Sequence, residues 1–114
     1  MLTMASKDAC VTGDCRPATA GDRSDQAVAR TVIAAGSAPH WSYRVAGMRH
    51  FDFTDYDAYY LAERLRRLLA LGSLPRGRGL IIADAYLTAF LDHAVRGAGE
   101  PLPTGPSPEF PEVR

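Results

Sequence analysis

The sequence predicts an α/β fold: a parallel strand-helix-strand unit followed by two helices and an extended proline-rich tail. Three observations carry this. The run "WSYRVA" alternates Trp41, Tyr43 and Val45 against Ser42 and Arg44, a period-two pattern of aromatic and β-branched residues that marks a strand. A short apolar run, "MLTMA", opens the chain, and a helix-like segment lies between the two. Two strands joined through a helix become parallel neighbours.

Taken in order, "MLTMA" reads as a buried strand. "SKDACVTGDCRPATAGDRSD" follows as a polar loop, rich in Gly, Asp, Ser and Thr and long enough to be functional or mobile. "SDQAVARTVIAAG" reads as a helix capped by Ser24 or Asp25, with Ala27, Val28, Val32 and Ile33 as its apolar strip and Gly36 ending it. After the strand at 41–46, Gly47 lets the backbone turn sharply. "TDYDAYYLAERLRRLLALG" is expected as a second helix, opened by Thr54 and Asp57 at capping-box spacing. Leu61, Leu65, Leu68 and Leu69 would be buried, Glu63, Arg64, Arg66 and Arg67 would face water, and Gly72 would stop it. "LIIADAYLTAFLDHAVRG" is the third helix, lined by Leu80, Ala83, Leu87, Phe90, Leu91 and Ala94, with Gly97 as its C-cap. The tail "AGEPLPTGPSPEFPEVR", from 98 to 114, carries five prolines and is expected to be extended. Two strands with three helices make an uncomfortable sheet, so the unit looks like the end of something larger.

Composition excludes several function classes. The 114 residues suffice for one small domain. Thirteen basic and thirteen acidic side chains cancel, so no global field draws the chain to nucleic acid or anionic lipid. No apolar run approaches the roughly 20 residues of a membrane span. "MLTMASKDAC" lacks the basic region and long apolar core of a secretory signal, which as written implies a cytoplasmic chain, with a secreted parent protein left open. Cys10 and Cys15 are expected as reduced, idle thiols or as a small disulfide loop. As a metal site they fall short, because two thiolates without nearby histidines leave zinc half liganded.

Chemistry concentrates in "YRVAGMRHFDFTDY". Catalytic groups in open α/β sheets collect outside the carboxyl ends of strands. His50 lies there, five residues past Val45. Phe51 and Phe53 are expected to pack beneath it, with Asp52, Thr54 and Asp55 as hydrogen-bond partners. A histidine so placed suits a general base, although a lone loop histidine is more often a surface residue. His40, beside Pro39, and His93, late in a helix, read as structural.

"GMRHFDFTDY", an amphipathic helix, "AYLTAFLDHAVRG" and "PEFPEVR", in that order, resemble the C-terminal third of α/β-hydrolases of the platelet-activating-factor acetylhydrolase-like and dienelactone-hydrolase-like groups. The resemblance covers most of 43–114 and implies a partial α/β-hydrolase fold, incomplete over 1–97. It implies that His50 is the histidine of a Ser-His-acid triad and that Phe53 and Asp55 shape its loop. "LTMASKD" resembles a penultimate-strand segment, making Asp8 the acid candidate beside the alternative of a plain loop carboxylate; Asp14, Asp22 and Asp25 are weaker candidates. The parent substrate would be a small-molecule or lipid ester, with no metal or organic cofactor. In one respect the chain departs from the family: it has no G-x-S-x-G, the turn that carries the nucleophile. It is therefore expected to be the C-terminal piece of an esterase or lipase, inactive alone. Two alternatives accompany this reading: an assembly module pairing through an exposed sheet edge, with itself or with a missing N-terminal part, and a thiol enzyme using Cys10 or Cys15.

Overall fold

The computed structural model describes residues 1–6, 9, 19–59, 62–97 and 107–114. Strand β1 (Leu2–Ser6) lies parallel to strand β2 (Trp41–Val45), with Leu2 opposite Trp41 and Ser6 opposite Val45. Helix α1 (Ala20–Ala35) connects them. The chain then makes two 3₁₀ turns, His50–Phe53 and Asp55–Asp57, before helices α2 (Glu63–Leu68) and α3 (Arg78–Arg96). The chain is thus a small mixed α/β structure with the predicted parallel pair. No helix among the described residues is long and apolar enough to cross a membrane.

Register assigns each side chain its face. Partners across a parallel pair point the same way, so Leu2 and Met4 share a face with Trp41, Tyr43 and Val45. Helix α3 covers that face, and Tyr43, Val45, Met48, Ile82, Tyr86, Phe110 and Val113 form its buried core. Ring packing fixes the fit. Tyr43 meets Tyr86 edge-on at 4.8 Å, Tyr86 meets Phe110 at 5.9 Å, and Trp41 meets Phe90 at 6.0 Å. Burial pushes the Tyr43 and Tyr86 phenols above their ordinary 10.0, because a phenolate there would lose its hydration.

The C-terminal segment closes one side of the sheet. Val113 bridges Val45 in antiparallel sense, the Arg44 and Arg114 backbones exchange two hydrogen bonds (2.8 and 2.9 Å), and the Ala46 N–H donates to Glu112 O (2.8 Å). Arg78 at the start of α3 locks the segment down through Glu112 (Nε to Oε1, 2.9 Å), the Glu109 carbonyl and the Phe110 ring. The opposite edge, along β1, is different. The Trp41 N–H donates to Met1 O (2.9 Å), so alternation turns the N–H and C=O groups of Leu2 and Met4 away from β2. Among the described residues no strand lies on that side.

Several predicted elements need correction. Helix α1 starts at Ala20 because Thr19 and Asp22 form a capping box: the Asp22 N–H donates to Thr19 Oγ1 (3.0 Å) and the Thr19 N–H to Asp22 Oδ2 (2.9 Å). Ser24 and Asp25 lie inside the helix, which therefore begins earlier than expected. Its expected apolar strip is not buried: Val28 and Val32 are 61% and 55% exposed, while Gln26 is buried. A two-stranded sheet offers too little surface to cover both faces.

The expected helix over 54–72 breaks into a 3₁₀ turn and the short α2. Thr54 caps that turn by accepting from the Tyr56 N–H (3.4 Å) rather than opening a long helix. Leu65 and Leu68 are exposed, Leu69 is half-buried, and Leu61 lies outside the described residues. Arg66, expected in water, is buried on Asp57 (3.0 Å). Its terminator is not Gly72 but Ala70, at φ 52°, with the Leu71 N–H reaching Arg66 O and the Ala70 N–H reaching Arg67 O.

Helix α3 ends at left-handed Gly97 as predicted, and of its expected stripe Phe90 packs on Trp41 while Leu80 and Ala83 are half-buried, but the buried face is rotated from the one expected. Gly79, Ile82 and Tyr86 are buried, whereas Leu87 and Leu91 stand 50% and 47% exposed. The aromatic residues of β2 meet Tyr86 and Phe90 on α3, and Leu87 and Leu91 are left outward.

Candidate functional site

Every step from β2 to His50 is pinned. Val45 enters the core, Gly47 turns the chain at φ 80°, and Met48 returns fully buried. Arg49 is extended, and the 3₁₀ turn begins at His50. The carboxylate of Asp52 holds this turn: Oδ2 accepts from the Arg49 N–H (2.6 Å) and the Gly72 N–H (2.7 Å), and Oδ1 is buried without a hydrogen-bond partner among the described residues. Asp52 is therefore an internal clamp and not a partner of the imidazole. Glycines allow the close packing. A Cβ on Gly79 would stand 2.6 Å from Asp52 O, and one on Gly72 would fall on Gly47 O.

Asp57 fastens the second turn in the same manner. Its carboxylate takes Arg66 at 3.0 Å and the Gly79 N–H at 3.1 Å, and its carbonyl accepts from the Gly77 N–H (3.2 Å). Two buried aspartates, one on each turn, thus rivet the loop to the Gly72 corner and to the first turn of α3. Sequence reading missed both of these roles and Arg66's. A "D-x-x-x-x-D" spacing in an aromatic loop gives no hint of partners 20 and 22 residues away.

His50 itself is exposed, its ring edge-on to Phe51 at 5.0 Å. Phe51 is 37% exposed and does not lie beneath the loop; Phe53 does, packing against the core. Asp55 is exposed and Thr54 is occupied locally, its hydroxyl donating to Phe51 O (2.8 Å). Among the described residues no side chain is hydrogen-bonded to the imidazole.

The imidazole opens on a shallow depression of about 270 Å³ lined by Ser6, Ala9, Asp22, Arg49, His50 and Ala70. It lies at the carboxyl ends of both strands, where sequence reasoning expected chemistry. The structure brings Asp22, from the first turn of α1, to the same depression as His50; Asp25 is exposed on α1. Asp8, Asp14, Cys10 and Cys15 lie outside the described residues. Ser6 is a buried hydroxyl at the end of β1. Such a rim can exchange a proton at the imidazole and can place an acceptor and a cation near a bound carbonyl.

The other histidines sit at the opposite end of the sheet. His40 Nε2 is hydrogen-bonded to Thr3 Oγ1 (2.9 Å), and His93 packs edge-on to Trp41 at 5.6 Å. The described residues contain no cluster of His, Cys, Asp or Glu able to hold a metal ion. No family model, curated protein or solved structure matches the chain.

Proposed function

We propose that this chain is the C-terminal part of an α/β-hydrolase acting on carboxylic esters, and that His50 is its triad histidine. The carrying observation is placement: an exposed imidazole on a rigidly clamped turn just past the carboxyl end of β2. The resemblance over 43–114 supports the reading, as does the open edge of β1, where further strands of such a sheet would join. A serine on another segment attacks the ester carbonyl while His50 takes its proton. His50 then returns the proton to the leaving alcohol, and water clears the acyl-enzyme by the same shuttle. Asp22 and Asp8 are the candidates to orient the imidazole, Asp22 on its position at the same depression and Asp8 on resemblance.

Two measurements test this. The purified chain should hydrolyse p-nitrophenyl acetate no faster than buffer. A chimera adding the upstream strands and G-x-S-x-G of an ester hydrolase should gain activity and lose on the order of 10⁴-fold or more on His50→Ala. Turnover by the chain alone, abolished by His50→Ala, would overturn the claim that the nucleophile lies elsewhere.

A second reading, a non-catalytic assembly module, is favoured by one observation: the outward N–H and C=O groups of Leu2 and Met4 on an edge without a neighbouring strand among the described residues. Light scattering decides it, since a monomer at all concentrations contradicts self-pairing.

A further inference from the structure

Beyond His50 runs a line of exposed rings. Phe51 meets Tyr56 at 6.0 Å, and Tyr56 meets Tyr59 at 5.7 Å, both edge-on with interplanar angles of 86°. Tyr56 and Tyr59 are 47% and 52% exposed. The three rings, linked in a row through Tyr56, form one exposed aromatic patch of the kind that marks a binding surface. Among the described residues, Tyr56 and Tyr59 form two walls of a recess of about 250 Å³ that Thr54 and Asp55 also line.

The angle between the walls selects the occupant. Sugars rest on flat platforms of coplanar rings, and rings at 86° do not make one. A right-angled corner suits a planar aromatic ring, which stacks on one wall and meets the other edge-on, the two preferred ring geometries. Volume agrees, since a cavity on the order of 150 Å³ holds benzene. The Thr54 hydroxyl is engaged with Phe51 O and the Tyr56 N–H, and Asp55 brings the lining a carboxylate, which would repel an anionic substituent and accept a hydrogen bond from a ring hydroxyl.

We infer that the Thr54–Asp55–Tyr56–Tyr59 recess binds a hydroxylated aromatic ring, and that the substrate is an ester carrying this ring on one side of the scissile bond. That the ring belongs to an ester rests on the reading of His50; that a ring binds in this corner does not.

The test uses the chain as it is. Methyl 4-hydroxybenzoate is titrated into isotopically labelled protein while the amide and aromatic signals of 54–59 are followed, with methyl cyclohexanecarboxylate and methyl 4-methoxybenzoate as controls. Shifts should centre on Tyr56 and Tyr59. Binding should weaken about three- to ten-fold with the saturated ring and on Tyr59→Ala, and by a comparable factor with the methoxy ester or Asp55→Asn. Shifts centred elsewhere, or equal affinity for the saturated ring, would overturn the ring site. In the chimera described above, Tyr59→Ala should raise KM for methyl 4-hydroxybenzoate about three- to ten-fold more than it raises KM for methyl cyclohexanecarboxylate. Ring binding without that KM change would overturn the ester assignment alone.

Discussion

Gly72→Ala is the sharpest perturbation of the turn that carries His50. A methyl group there would fall on Gly47 O and stand 2.5 Å from Asp52 Oδ2, against 3.4–4 Å for an ordinary contact. Backbone cannot yield as a side-chain tip can, so the 47 and 72 segments must part. Two hydrogen bonds stretch with them: Gly72 N–H to Asp52 (2.7 Å) and Ser73 N–H to Gly47 O (2.9 Å). The first is charge-assisted, about 1.5–3 kcal/mol, and the second about 0.5–1.5 kcal/mol, so the expected loss is about 2–4.5 kcal/mol. In urea this lowers the unfolding midpoint by about 1–3 M. Two further glycines calibrate the result. Gly77→Ala meets nothing within 4 Å but sits at φ 72°, and should cost about 1–2 kcal/mol. Gly21→Ala, inside α1 with Thr19 Oγ1 at 3.6 Å, should stabilise by up to about 1 kcal/mol. Hydrogen exchange at the Arg49 and Gly72 amides should accelerate in Gly72→Ala. A Gly72→Ala midpoint no lower than that of Gly77→Ala would refute the close-approach argument.

Two further outcomes follow from buried charge. Asp57→Ala strands Arg66 and the Gly79 N–H, and Arg66→Met strands a fully buried carboxylate; each should cost about 3–5 kcal/mol in urea unfolding, and the double variant should cost clearly less than the two together. Strict additivity would show that the pair is not coupled. Arg78 holds the Glu112 carboxyl below its ordinary 4.5, first by the hydrogen bond it donates and then by its charge. A depressed folded-state value means that this stabilisation is fully present above 4.5 and is lost as pH falls through the lowered value. Unfolding followed from neutral pH to about pH 3 should therefore show a shallower decline in Glu112→Gln than in the parent; identical curves would contradict it.

The sequence made the sheet legible because alternation is local: Trp41, Tyr43 and Val45 declare their face without reference to anything else. Gly47 and Gly97 were legible for the same reason, each marking a left-handed turn on its own. The broken helix was not, because Asp52 and Asp57 take backbone partners from Gly72 and Gly79, across a stretch no window spans. Helix α3 has two apolar stripes, and hydropathy favours the leucines. Shape shifted the buried face toward Tyr86, whose ring meets Tyr43 edge-on, and of the expected stripe Phe90 stays engaged with Trp41. As for the site, the position of His50 could be read from strand end and loop, whereas the convergence of Asp22 on the same depression depends on the three-dimensional placement of α1, which no local pattern encodes.

The docking of Glu112–Arg114 along the outer side of β2 gives the sheet a polarity of growth. Among the described residues the open backbone edge is the β1 flank, so two copies meeting there would cover each other's edge and leave none for a third. Association through backbone pairing would then end in a finite pair, and only peeling away the Arg44–Arg114 contact would permit a fibre.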